Sequence, residues 1–161
     1  MFKLSQRLLL SLVLSTSAVQ AAPATMPLLK IIARSPTTPT NSYLDSCTLN
    51  IKGQLLIEHS VYLFPSGPSL ISKETRLIQL NTKDIKSVID QAANGSVTGM
   101  DLIGGATYKY YAYQKQADGS VKEIFLANQN GIGRVNDSPS VEPLSRFIDR
   151  LCGTLVTPTQ P

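Results

Sequence analysis

The chain has 161 residues, a formal charge of +4, 42% hydrophobic and 16% charged residues, two cysteines and a single histidine. That length suits one domain of ordinary size with short extensions. No Lys/Arg block stands out, which argues against a nucleic-acid partner, and after the N-terminal segment no apolar run is long enough to span a bilayer.

Residues Met1 to Ala21 read as a secretory signal peptide. Lys3 and Arg7 form the positive n-region, Leu8 to Leu14 a short apolar run, and Val19 and Ala21 stand at −3 and −1 of a cleavage point. The run is too short for a permanent membrane helix, and neither cysteine follows it closely enough for lipid attachment. Export to the periplasm or the medium is therefore expected. Loss of Lys3 and Arg7 leaves 13 basic against 11 acidic residues, a balance of about +2.

Residues 22–44 are rich in Pro and Thr and predict a flexible leader. Leu28 to Ile32 interrupts it with an apolar run that could dock as an edge strand. A single α+β domain is expected over 45–156, followed by a disordered tail at 157–161. In an oxidising compartment two cysteines predict one disulfide, Cys47–Cys152. It would close a loop of about 105 residues, for which chain entropy suggests nearly 5 kcal/mol. A metal at that pair lacks ligands, because His59 is the lone histidine and no CxxC spacing occurs.

Three strands are predicted first: Cys47 to Ile51, Gln54 to Phe64 after the Lys52-Gly53 turn, and Leu70 to Leu80, the last near a sheet edge. A helix follows. Asn81 or Thr82 caps it, Asp84 suits its first turn, and Ile85, Val88, Ile89 and Ala92 form one apolar stripe. Asn94-Gly95 ends it, with Gly95 expected in the left-handed conformation.

Ala106 to Gln114 is a tyrosine-rich strand, and Ala117-Asp118-Gly119-Ser120 turns it into Val121 to Asn128. The last helix starts with Ser138 as cap and Pro139 in the first position, or later with Ser140 as cap and Pro143 in the first turn. The order β-β-β-α-β-β-α predicts an antiparallel sheet of about five strands with two helices on one face.

Chemistry is sparse. His59 lies in an apolar strand with no nucleophile elbow, and Gly131-Ile132-Gly133-Arg134 lacks the remaining elements of a phosphate loop. The acids are scattered over turns and helix starts. No catalytic residue, no metal ligand and no cofactor is assigned. The candidate partner surface combines Met100, Leu102 and Ile103, from a glycine-flanked segment, with Tyr111, Tyr113 and Arg134.

The segment Glu74-Thr75-Arg76-Leu77-Ile78-Gln79-Leu80-Asn81-Thr82-Lys83-Asp84-Ile85 joins a polar-faced strand to a helix through a Leu-x-x-x-Asp step. With the preceding hairpin it resembles the emfourin-type inhibitors of bacterial metallopeptidases, over about a third of the chain. The layout is also similar to that of other small exported bacterial proteins. No functional residue is carried over. The expectation is a non-enzymatic, exported protein-binding module, with inhibition of a secreted peptidase as a specific form. The alternative is a periplasmic or envelope-associated structural protein.

Overall fold

The computed structural model describes residues 25–35, 41–63, 66–101, 107–128 and 133–153. Its first strand, β1 (Pro27–Arg34), comes from the stretch expected to be a leader. Pro27 stands at the strand's first residue, a position that tolerates a missing N–H. Leu29, Ile31 and Ala33 then alternate with Lys30, Ile32 and Arg34, sending one set to each face. A register irregularity between Pro27 and Leu29 accompanies the burial of both Leu28 and Leu29.

The remaining strands are β2 (Asn41–Asn50), β3 (Gln54–Leu63), β4 (Gly67–Leu77), β5 (Val97–Thr98), β6 (Thr107–Lys115), β7 (Val121–Asn128) and β8 (Val135–Asn136). The helices are α1 (Thr82–Ala92), between β4 and β5, and α2 (Val141–Cys152), after β8. All strand pairs are antiparallel, in the spatial order β4-β3-β2-β1-β6-β7-β8-β5. The described residues thus form one eight-stranded sheet with two helices. An α+β domain with about five strands is corrected to a mostly β molecule.

The physical reason lies in β1. Its prolines signal a linker, yet the alternating run between them fills the middle of the sheet, hydrogen-bonded to β2 on one side and β6 on the other. The leader expected over 22–44 is corrected accordingly, since it supplies β1 and the first residues of β2. The short strands β5 and β8 complete the count.

One face of the sheet carries Ile31, Cys47, Leu49, Leu55, Tyr110 and Leu126 into a core closed by Ile89 of α1 and by Leu144 and Ile148 of α2. Helix α2 lies over β1, β3 and β7, while α1 touches β6 and α2. Cys152, the last residue of α2, is bonded to Cys47 at a Cα–Cα separation of 6.1 Å. The Cys47–Cys152 disulfide is therefore present, and it ties the closing helix to β2. Residue Ser140 stands at the N-cap of α2 with Pro143 in its first turn, the later of the two expected starts.

Helix α1 ends differently from expectation. Its C-cap, Ala93, stays right-handed, and Gly95 is not among the positive-φ glycines. Gly95 serves close approach instead, because a Cβ there would lie 1.9 Å from the Asn136 side-chain oxygen. Asn136 is buried (3% exposed). Its amide donates to the Ala92 and Phe125 carbonyls at 3.0 and 3.2 Å, and its oxygen accepts the Ser138 N–H at 3.0 Å. One side chain thus joins α1, β7 and the turn before α2. Asn136→Ala is expected to strand these backbone groups and lower stability by about 2–4 kcal/mol in urea unfolding.

Candidate functional site

Among the described residues no helix packs on the face of the sheet opposite α1 and α2, here called the open face, and the residues that project from it follow from strand alternation. In β6, Tyr110 and Ala112 go to the core, so Tyr111 and Tyr113 go to the open face. In β7, Ile124 and Leu126 go to the core, which leaves Phe125 beside Tyr111. The two rings meet edge to face, with centroids 5.7 Å apart and planes at 81°. The Arg134 guanidinium lies 4.9 Å from the Phe125 ring centre, a cation–π contact.

A second group of contacts fixes the turn that carries Met100. Gly99 has φ +86°, and a Cβ there would lie 2.7 Å from the Gly133 carbonyl oxygen and 3.2 Å from the Arg134 Cα. The turn therefore packs directly on the backbone that presents Arg134. Asp101 accepts a hydrogen bond from Lys109 Nζ at 2.8 Å and another from Asn128 Nδ2 at 3.1 Å. The Lys109 ammonium, then the Asn128 amide, hold the Asp101 carboxyl below its ordinary range. Between these tethers Met100 is 82% exposed. Val97 and Val135, on the adjoining β5 and β8, are also exposed.

Of the residues expected at a partner surface, Tyr111, Arg134 and Met100 are brought to one end of the sheet. Tyr113 shares the open face but donates its hydroxyl to Glu123 at 2.9 Å. Burial, then that bond, push its phenol well above the usual tyrosine range. Burial also raises the Tyr111 phenol. Leu102 and Ile103 lie outside the described residues. Phe125 is the residue that sequence reasoning missed, although its odd position in β7, opposite to Ile124 and Leu126, was a usable signal.

His59 has a partner that its sequence neighbourhood did not reveal. Asp45 on β2 and His59 on β3 are directly opposite, and His59 Nδ1 lies 3.0 Å from Asp45 Oδ1. Asp45 is only 4% exposed, so the facing imidazole gives a buried carboxylate a polar neighbour. Ser72 on β4 is in register with His59. A serine hydrolase needs more than this row: a serine hydroxyl bonded to the base, an oxyanion hole and a sheltered substrate cleft. Strand β4 is exposed on both faces around Ser72. Cavities of about 400 and 340 Å³ open on α2 and between α1 and β6, and neither is lined by His59.

A comparable pair sits under α2, where Tyr110 donates to Asp149 Oδ1 at 2.9 Å. Burial lifts the Asp149 carboxyl above its ordinary value, with the tyrosine bond opposing it. Among the described residues no group of three His, Cys, Asp or Glu side chains is placed to hold a metal ion. No described helix is long and apolar enough to cross a membrane.

No protein-family model matches the chain, and no curated protein or solved structure matches it either.

Proposed function

We propose that the chain is an exported, non-enzymatic protein-binding module whose contact surface is the patch of Met100, Tyr111, Phe125 and Arg134. The single observation that carries this reading is Met100, held almost fully in solvent by a turn that is tethered on both sides. An apolar side chain exposed on a loose loop can fold back. One fixed beside an aromatic–guanidinium cluster stays available. Tyr, Phe, Met and Arg are residue types that protein interfaces favour, the aromatic rings because they supply large contact area for few frozen rotors.

Burial of an exposed methionine against a partner stabilises by roughly 1.5–3 kcal/mol, which is the scale of an interface hot spot. Tyr111 and Arg134 already contact Phe125, so little ordering remains to be done on binding. The similarity of residues 74–85 to emfourin-type inhibitors makes a secreted metallopeptidase the first partner to test. Export is supported by the signal-like N-terminus and is compatible with the disulfide.

The test is retention of proteins from the periplasmic and extracellular fractions of the source cells on the immobilised mature chain. A partner retained at fixed stoichiometry is expected, with Met100→Ser and Tyr111→Ala each weakening retention about tenfold or more. Val121→Ser, at an exposed site at the start of β7, is expected to leave it unchanged. Equal retention by all four proteins would reject this surface. Co-sedimentation with envelope that ignores the patch variants would favour a structural role instead.

A further inference from the structure

The opposite edge of the sheet poses a separate question. Strand β4 is eleven residues long, pairs with β3 alone among the described residues, and is exposed from Pro68 to Leu77. Long edge strands are templates for another strand unless they are blunted. The first half of β4 is blunted: Pro68 removes a donor, and a register shift opposite His59/Ser60 places an extra residue near Ile71. The second half, Ser72 to Leu77, has neither device. Leu77 at its end is 79% exposed.

We infer that Ser72–Leu77 pairs antiparallel with the same segment of a second copy of this chain, with the two-fold axis at Thr75. The charge pattern selects both the occupant and the register. In an antiparallel ladder, residues directly opposite each other point to the same face, so the axis must pass through a residue and not between two. Centring on Lys73, Glu74 or Arg76 would set like charges face to face, which is destabilising. Centring on Ser72 runs the pairing through the bulge, and centring on Leu77 runs it past the end of the strand.

Thr75 alone avoids all of these. It sets Glu74 opposite the partner's Arg76 and Arg76 opposite the partner's Glu74. Within one chain Glu74 and Arg76 already form an ion pair on one face, and the guanidinium is the first cause that holds the Glu74 carboxyl below its usual range. Two such pairs laid antiparallel make four alternating charges. On the other face, Thr75 meets the partner's Thr75, a favourable cross-strand pair, and Leu77 meets the stem of the partner's Lys73.

A two-fold axis perpendicular to the sheet keeps both open faces on one side of the dimer. The two Met100–Tyr111–Arg134 patches would then face the same way, at the outer ends of a continuous sheet. A surface or partner with repeated sites would be held bivalently.

Sedimentation of the intact mature protein from micromolar to millimolar concentration tests the inference. A monomer–dimer equilibrium is expected. Arg76→Glu should weaken it about tenfold, through two lost ion pairs and two new repulsions, and the swap Glu74→Arg with Arg76→Glu should restore it. Thr75→Cys should give a covalent dimer on oxidation, and Lys73→Cys should not. Thermal melts of each variant confirm that the monomer is folded. A monomer at all concentrations, an Arg76→Glu variant that associates normally, or equal cross-linking at position 73 would overturn it. Loss of the dimer with patch-dependent partner retention intact would leave the binding function standing and reject only the pairing.

Discussion

A chain that begins at Asp45 is expected to lose cooperative folding, whereas one that begins at Ala22 keeps it. The shorter chain lacks β1, which lies between β2 and β6 and hydrogen-bonds to both. Three of the side chains it removes, Leu28, Leu29 and Ile31, are at most 2% exposed. Burial of each stabilises by roughly 1.5–3 kcal/mol, so together they rival the lower end of a domain's net stability, about 5 kcal/mol. Two new unpaired strand edges would also be opened at the centre of the sheet. Far-ultraviolet circular dichroism through a thermal melt, with proton chemical-shift dispersion, reads the outcome. A sharp melt of the shorter chain would remove β1 from the centre.

Reduction of Cys47–Cys152 is expected to lower stability by about 2–5 kcal/mol. The bond closes a sequence separation of 105 residues, two thirds of the chain, so its main effect is on the unfolded ensemble. Its position adds a local effect, because Cys152 ends α2 and the bond ties that end to β2. Urea unfolding with and without reductant separates the two. A lower midpoint with a larger m value marks a more expanded unfolded chain. A lower midpoint with unchanged m points to loosened packing of α2. An unchanged midpoint would show that the bond does not contribute.

Parts of this architecture were legible from local chemistry. The Ile85, Val88, Ile89 and Ala92 stripe marked α1, and compartment logic paired the cysteines. Alternation in the tyrosine strand separated Tyr110, buried under α2, from Tyr111 on the open face. The strand expected over Leu70 to Leu80 read as lying near an edge because polar and charged residues occupy both its faces, and β4 ends the sheet among the described strands.

What escaped was long-range. In β1 a period of two was present from Leu29 to Arg34, but surrounding prolines carried the stronger local signal, and only the neighbours β2 and β6 turn that run into a central strand. The two-residue strands β5 and β8 have no periodicity to detect. Gly95 looked like a helix stop because its real constraint, the Asn136 side chain, is 41 residues away in sequence. Asp45 looked like a domain boundary, while it is buried on β2 beside the His59 imidazole of β3, 3.0 Å away. At the candidate site, Tyr111 and Arg134 were found from composition and loop position. Phe125 was assignable to the face opposite Ile124 and Leu126 by alternation, but its contacts with Tyr111 and Arg134 became evident only when β7 was laid beside β6.

Every surface assigned above, the open face as well as the free edge, presupposes that β1 occupies the middle of the sheet. Residue-resolved amide hydrogen exchange on the oxidised protein tests that most directly. The amides of Leu29 to Ala33 are predicted to be among the slowest in the molecule, exchanging only through global unfolding. Exchange of those amides at the rate of a frayed, unpaired segment would contradict the account.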